Sequence, residues 1–262
     1  MSVVGRASTV NVVVSDTAEA AGAAAGRAAA DVLAKTLEEQ SRARVIFASA
    51  PSQDQMLRTL GEDARIDWSR VTSLHMDDYL ELDPTHPASF GTWLAERLPA
   101  PARPGLDRIR QDVDPDSEVR RYSELVAAAP IDLVCLGIGV NGHIAFNEPG
   151  DTDFEDSSLV RKIALAHTSR QQQVDEGLFP SLDEVPTHAL TLTVPAILSA
   201  RSLVCTVLGD AKAEAVAATL TGPVTDEVPA SAMHTHSDVV VHLDDAAAAQ
   251  LPEELRSGGR GR

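Results

Sequence analysis

The stretch IDLVCLGIGVNGHIAFNEPG, residues 131–150, joins a largely apolar run to a glycine-rich loop that ends in polar residues. The run at 131–136 predicts a buried β-strand. The glycines after it, Gly142 included, predict a tight turn where the backbone can approach a ligand closely. Strands without a polar face belong to parallel sheets that are covered on both sides. The stretch therefore indicates an α/β fold.

Similar apolar runs lie on both sides of this stretch and alternate with helical patterns. Strands are predicted at residues 10–14, 44–48, 71–75, 131–136, 189–194, 203–208 and 238–243, and helices at 17–39, 54–60, 89–98, 117–128, 210–220 and 244–251. This alternation predicts a three-layer αβα architecture around a doubly wound, mostly parallel sheet of the Rossmann-like kind. In such sheets, ligands bind beyond the carboxyl ends of the strands.

Composition limits the organisation and the partners of the chain. No internal repeat or linker-like segment interrupts it, so we expect one domain at residues 1–255 and a flexible tail at 256–262. The chain has 22 Lys and Arg against 39 Asp and Glu, a net charge of −17. This balance argues against nucleic-acid or membrane partners but leaves a locally basic small-molecule site possible. Cys135 and Cys205 lie in apolar runs, which favours free, buried thiols and a cytoplasmic protein.

The glycine-rich loop carries a candidate acid–base group. Residues 137–142 match G-x-G-x-x-G, but Pro149-Gly150 interrupts the long helix that a dinucleotide site needs. His143 follows the glycines, with Asn141 and Glu148 near enough to orient its ring. A histidine held by a carboxylate at the end of a strand is a candidate general acid or base. The alternative is a histidine that caps the backbone of its own loop.

Two other predicted strands lead into residues that could act in catalysis or ligand binding. The strand at 71–75 leads into Asp77 and Asp78, one of which we expect to face a ligand as a base with a raised pKa; the alternative is a helix N-cap. The strand at 203–208 leads into Gly209 and Lys212 at the start of a helix, an arrangement that suits an anion; the alternative is a solvated lysine. His234 and His236 have no third ligand spaced for zinc, so no metal is predicted.

Together these segments resemble the glucosamine-6-phosphate deaminase (isomerase) family, whose fold is shared with 6-phosphogluconolactonases. The resemblance spans roughly residues 9–251 and rests on HMDDYLELDPTHPASF (75–90), DLVCLGIGVNGHIAFNEPG (132–150), VPTHALTLT (185–193) and VLGDAKAEAV (207–216). The lactonases keep the Gly-His pair of the loop, whereas the continuation Phe-Asn-Glu-Pro is typical of the deaminases.

The resemblance implies roles for individual residues. Asp77 corresponds to the base that moves a proton between C2 and C1 of the open-chain sugar. His143 corresponds to the acid–base group that opens the ring, with Glu148 as its partner. Asn141 stands where the family carries Asp or Asn, and Lys212 corresponds to a lysine that contacts the substrate phosphate.

Two departures from the family pattern affect the phosphate half of the site. Residues 47–53 read FASAPSQ where the family has a glycine-rich T-G-x-T-P loop, so Ser49 and Ser52 remain as donors. The arginine expected before the VPTHALTLT segment is replaced by Glu176 or Gly177. Arg170, one or two turns earlier, is the candidate substitute. We therefore expect weak binding of glucosamine 6-phosphate or a preference for another sugar.

The resulting expectation is an enzyme that isomerises and deaminates a 2-amino-2-deoxyhexose 6-phosphate without a metal or organic cofactor. Its partner would be a small-molecule sugar phosphate, with self-association into a homo-oligomer left open. Two alternatives remain: a lactonase in which His143 activates water, and a sensor that binds a sugar phosphate without catalysis. The chain lacks a DNA-binding segment and combines Asp77 with His143, which favours the enzyme.

Overall fold

The computed structural model describes residues 10–258 and is built around a parallel sheet of six strands. In chain order, its strands are β1 (Asn11–Ser15), β2 (Ala43–Phe47), β3 (Val71–His75), β5 (Leu133–Leu136), β8 (Ser202–Val207) and β9 (Val239–Asp244). Their order across the sheet is β1-β9-β8-β5-β2-β3, and every neighbouring pair is parallel. All carboxyl ends of the strands therefore lie along one edge.

Helices cover both faces of this sheet. The helices, in chain order, are α1 (Ala18–Glu39), α2 (Asp54–Gly61), α3 (Phe90–Arg97), α4 (Pro115–Ala127), α5 (His167–Asp175), α6 (Val194–Leu198), α7 (Ala213–Thr221) and α8 (Glu253–Gly258). Apolar residues of α1, α2 and α3 share one core cluster with Leu133 and Cys135, whereas those of α4, α6 and α7 share another with Val134 and Leu136. Successive residues of a strand point to opposite faces, so β5 contributes to both cores. The predicted three-layer αβα class is confirmed.

A second, smaller sheet lies over the edge that carries the strand ends. Its strands are β4 (Asp77–Tyr79), β6 (Val160–Ala164) and β7 (His188–Leu192), which pair antiparallel in the order β4-β7-β6. Tyr79, Phe90, Phe146 and Phe179 pack together on it as a separate apolar cluster. The sheet holds β4 directly after β3 and thereby fixes the segment that contains the two aspartates.

Three sequence predictions were wrong in detail. The strand predicted at 189–194 exists as β7 but belongs to the small antiparallel sheet. The helix predicted at 244–251 is a run of turns, and Pro252, which lacks a backbone N–H, follows it. The tail predicted from residue 256 begins inside α8, and its last part, 259–262, lies outside the described residues.

Both cysteines, Cys135 and Cys205, are buried in the central sheet and unpaired. Among residues 10–258, no helix combines the length and apolar character that crossing a membrane requires.

Candidate active site

A cavity of about 380 Å³ opens at the carboxyl edge of the parallel sheet. Its walls come from the segments that follow β2, β3, β5 and β8, and from the end of α5. Lining residues that carry polar side chains are Ser49, Ser52, Asp77, His143, Gln172, Gln173, Glu176, Thr206 and Lys212. Of the ten residues predicted for the site, five line the cavity: Asp77, His143, Lys212, Ser49 and Ser52.

Asp77 and Asp78 have different roles although they are adjacent. Asp77 faces the cavity, and within the described residues its carboxylate has no hydrogen-bond donor. Burial, and secondarily the charge of Asp78, raises the pKa of Asp77 well above its ordinary value. A buried carboxylate without a hydrogen-bond donor can act as a base that removes a proton from a bound ligand.

Asp78 stabilises the fold and does not line the cavity, so the sequence candidate at Asp78 is not a ligand-facing residue. Its carboxylate accepts hydrogen bonds from the backbone N–H groups of Tyr79, Phe90 and Gly91 at 2.9, 3.0 and 2.9 Å, and from the Ser89 hydroxyl at 3.1 Å. It therefore satisfies the free N–H groups at the start of α3, as the N-cap alternative anticipated. Neighbouring side chains on β4 point in opposite directions, so only one aspartate reaches the cavity.

His75 positions the backbone of Asp77 and was not identified from the sequence. It is fully buried at the end of β3. Its Nε2 lies 2.9 Å from the Ile109 N–H and its Nδ1 lies 2.8 Å from the Asp77 carbonyl oxygen. The first contact requires an acceptor and the second a donor, so the ring is neutral with its proton on Nδ1. The stretch HMDDYLELDPTHPASF (75–90), which carries part of the family resemblance, begins at His75. That position was the signal in the sequence that could have identified the residue.

His143 is oriented by Asn141, which in turn contacts Glu148. The Nδ1 atom of His143 donates to Asn141 Oδ1 over 2.8 Å, and Asn141 Nδ2 donates to Glu148 Oε2 over 2.9 Å. Glu148 Oε2 is 3.8 Å from His143 Nδ1, beyond hydrogen-bond range. Glu148 also accepts from the Ser169 hydroxyl. The predicted partnership of His143 with Glu148 therefore runs through Asn141.

This chain of hydrogen bonds fixes the tautomer of His143, with the proton on Nδ1. Burial lowers the pKa of His143 to about 4, with the Glu148 charge opposing and the Lys212 charge adding to that shift. The ring is neutral near pH 7, and its Nε2 is free to accept a proton at the cavity. Gly142 adopts a φ of 86° in the same loop. At Gly139, a Cβ atom would lie 2.2 Å from the His143 ring, so only glycine allows this packing.

The predicted phosphate half is only partly assembled. Lys212 lines the cavity directly after β8. The Ser49 hydroxyl donates to the Phe90 carbonyl oxygen at 3.1 Å, whereas the Ser52 oxygen accepts from Gln53 Nε2 at 3.1 Å and keeps its own proton for a ligand. Two donors, Lys212 and Ser52, are therefore available from this group.

Arg170 does not substitute for the expected arginine, so this assignment was wrong. Its Nη2 donates to the carbonyl oxygens of Leu182 and Val185, at 2.6 and 2.9 Å, and holds the segment after α5. Glu176 lines the cavity instead. Burial raises the pKa of Glu176, against the effects of the Gln172 hydrogen bond and the Lys212 charge. The sequence is compatible with either Glu176 or Gly177 at the arginine position, and Glu176 is the one that lines the cavity.

The geometry defines an acid–base site for a small polar molecule at the edge of a parallel α/β sheet. Within residues 10–258, no group of three or more His, Cys, Asp or Glu side chains is arranged to hold a metal ion. The cavity instead places a carboxylate, a neutral imidazole and a lysine around one space. These groups can remove, carry and return protons.

Comparisons with known proteins place this site in a family. Residues 16–241 match the family model of glucosamine-6-phosphate isomerases and 6-phosphogluconolactonases. A glucosamine-6-phosphate deaminase of Exiguobacterium sibiricum is 37% identical over 198 residues, which cover 75% of this chain and 77% of that protein. One of Lactobacillus delbrueckii subsp. bulgaricus is 35% identical over 228 residues, or 86% of this chain and 94% of that protein.

Solved structures agree with this assignment. A monomeric glucosamine-6-phosphate deaminase superimposes with a TM-score of 0.83 at 32% identity, covering 91% of this chain and 99% of its own. A 6-phosphogluconolactonase of Trypanosoma brucei superimposes with a TM-score of 0.75 at 17% identity, covering 93% and 99%, and shares the fold. The chain belongs to the family of glucosamine-6-phosphate isomerases and 6-phosphogluconolactonases, as the sequence resemblance indicated.

Proposed function

We propose that this protein is a cytoplasmic enzyme that isomerises and deaminates a 2-amino-2-deoxyhexose, releasing ammonia and a ketose. Its similar relatives are named for the 6-phosphate of glucosamine, which is the first substrate to test. One observation carries the proposal. The unpartnered carboxylate of Asp77 and the imidazole of His143, whose Nδ1 is held by Asn141, line the same cavity. Buried, unpaired cysteines are consistent with a reducing compartment.

The first step is opening of the sugar ring, and His143 is placed for it. Its Nδ1 proton is held by Asn141, so Nε2 can accept the proton of the anomeric hydroxyl. The proton returns to the ring oxygen as the bond between C1 and that oxygen breaks. The product is the open-chain aldehyde, whose carbonyl acidifies the hydrogen on C2.

The second step is a proton transfer between neighbouring carbons. Asp77 removes the proton from C2, and the electron pair forms a C1=C2 double bond while the aldehyde oxygen gains a proton. Asp77 then delivers its proton to C1, and the double bond shifts to C2=N. Its raised pKa makes the carboxylate a stronger base than an exposed aspartate.

Release of ammonia completes the reaction. Water adds to the C2=N carbon, the nitrogen leaves as ammonia, and C2 becomes the ketone of the product. Overall, one sugar and one water give one ketose and one ammonia, with no change of oxidation state summed over the substrates. Positioned acid–base groups typically accelerate such steps by about 10²–10⁴-fold.

The test compares ammonia release with lactone hydrolysis. The wild-type protein is assayed with glucosamine 6-phosphate and with a 6-phosphogluconolactone, beside Asp77→Asn and His143→Gln. We expect ammonia release that falls at least about a hundredfold in each variant while circular dichroism remains unchanged. Lactone hydrolysis without ammonia would establish the lactonase alternative, and sugar binding without either activity would establish the sensor.

A further inference from the structure

The cavity has an unusual charge balance for a phosphate site. Lys212 is the only lysine or arginine that lines it within the described residues, and Glu176 lines it too. The two side chains are close enough for each to perturb the other: the Lys212 charge lowers the pKa of Glu176, against the burial that raises it. A phosphate bound to Lys212 would therefore also experience the negative charge of the Glu176 carboxylate.

The end of α5 fixes Glu176 in this position. Gly177 has a φ of 75°, Gly177 N–H bonds to the Val174 carbonyl oxygen at 2.9 Å, and Leu178 N–H bonds to that of Gln173 at 3.0 Å. These bonds form a Schellman motif, which makes Glu176 the C-cap residue directly after the end of α5. The carboxyl end of a helix carries partial negative charge. Glu176 and the carboxyl end of α5 thus both disfavour the binding of an anion.

Two neighbouring polar groups have atoms without a partner: an amide oxygen, which accepts, and a hydroxyl, which can donate or accept. Gln172 Nε2 donates to Glu176 Oε1 at 2.7 Å, which leaves Gln172 Oε1 as an acceptor without a partner. Thr206, nearly fully buried, also has a hydroxyl without a partner. A phosphate ester carries about two negative charges and offers mainly acceptors, whereas a hydroxyl group donates a hydrogen bond. These residues match hydroxyl groups better than phosphate.

We propose that Glu176 determines the specificity of this cavity, and that the part of the sugar near Lys212 bears hydroxyl groups instead of a phosphate. The inference rests on the proposed function for the reaction and assigns the form of the substrate: an amino sugar without the 6-phosphate. Glu176 accepts a hydrogen bond from the terminal hydroxyl, and Lys212 donates to a hydroxyl oxygen. In a relative with a cation at this position, the same space would suit phosphate.

The test measures binding with analogues that cannot react. 2-Amino-2-deoxyglucitol and its 6-phosphate lack the carbonyl group, and calorimetry gives their affinities for wild type, Glu176→Gln and Glu176→Arg. Asp175→Arg is the matched control, because it adds the same charge at an exposed neighbour outside the cavity lining. Thermal melting checks that each variant is folded.

We expect wild type to bind the 6-phosphate no more than about threefold tighter than the unphosphorylated alditol. Glu176→Arg should increase the preference for phosphate by about ten- to a hundredfold, the effect of one charge-assisted hydrogen bond. Glu176→Gln should fall between, and Asp175→Arg should leave the ratio within about threefold of wild type. Any other pattern of the wild-type and Glu176→Arg ratios overturns the proposal, as does an equal gain in Asp175→Arg.

The ammonia assay separates this inference from the proposed function. Ammonia release together with strong wild-type preference for the 6-phosphate would retain the reaction and reject the role of Glu176. The expected binding pattern without ammonia release from either form of the sugar would retain the role of Glu176 and reject the reaction. Absence of binding by both alditols would reject the role of Glu176, and the ammonia assay alone would then decide the reaction.

Discussion

The carboxylate of Asp77 is only 5% exposed and has no hydrogen-bond donor within the described residues. The adjacent residue Asp78, in contrast, accepts hydrogen bonds from backbone N–H groups. Burying a carboxylate without compensation disfavours its charged form. The fold therefore holds Asp77 in an unfavourable environment, which is common at catalytic positions and costs stability.

Asp77→Asn is expected to stabilise the protein at neutral pH while abolishing most activity. The pKa of Asp77 is higher in the folded state than in the unfolded chain, so its contribution to stability decreases as pH rises through the interval between the two. The gain should be absent below the pKa of the unfolded chain and complete above that of the folded protein. Thermal melting from pH 3 to 8 measures it, at about 2–4 °C for each kcal/mol. A variant less stable than wild type at pH 7 contradicts this account of Asp77.

The pKa of His143 provides a separate test of the hydrogen-bond chain. Burial lowers it to about 4, and the Glu148 charge opposes that shift. Glu148→Gln retains an acceptor for Asn141 but removes the charge, so the pKa of His143 should fall further. Titration of the His143 ring Hε1 signal by NMR measures both values. An unchanged or higher pKa in the variant would show that Glu148 has no electrostatic influence on the ring.

At the scale of elements, Asp78 connects β4 to the start of α3. Asp78→Ala would leave the N–H groups of Tyr79, Phe90 and Gly91 without their acceptor, at about 1–3 kcal/mol for each buried group left unpaired. We expect a clear loss in the free energy of unfolding, measured by urea titration. Ser89→Ala is the comparison: it removes one of the four bonds to Asp78, together with the bonds that the Ser89 hydroxyl accepts from Thr92 N–H and Gln111 Nε2. Equal stability of Asp78→Ala and wild type would refute this assignment.

The loop after β5 requires glycine at 139 to accommodate the His143 ring. Gly139→Ala should destabilise the protein by about 1–3 kcal/mol through overpacking and should reduce activity by displacing the ring. In a His143→Ala background, the same change should cost much less, because the ring has been removed. The double-mutant cycle in urea measures this coupling. Additive effects would mean that the ring and the added methyl group do not meet.

At the scale of the whole molecule, the sequence predicted the central sheet well because its strands are continuous apolar runs. The predicted and observed bounds of β3 are the same, and the predicted bounds of β2 and β8 are each shifted by one residue from the observed bounds. The small antiparallel sheet was missed as a sheet, because β4 has three residues and β6 alternates with charged side chains. Pairing across 110 residues, from Tyr79 to Ala189, is not visible in local patterns.

The candidate site was predictable where one loop contains all the partners and less so where separate elements meet. Asn141, His143 and Glu148 lie within eight residues, and their proximity follows from that spacing. The choice between Asp77 and Asp78 depends on the direction of β4, and the choice of Glu176 depends on where α5 ends. Neither choice can be made without the tertiary structure. The same holds for Arg170, which donates hydrogen bonds to the carbonyl oxygens of Leu182 and Val185.

The central claim is that Asp77 carries a proton between C2 and C1 of an amino sugar in this cavity. Proton NMR of the reaction in D₂O tests it most directly, with glucosamine and its 6-phosphate as substrates and Asp77→Asn as the control. We predict that the C2 hydrogen disappears, that the ketose carries deuterium at C1 from exchange at Asp77, and that Asp77→Asn forms neither product nor label at a comparable rate. Ketose formation that is equally fast in Asp77→Asn, or ammonia release with the C2 hydrogen retained, would contradict the account.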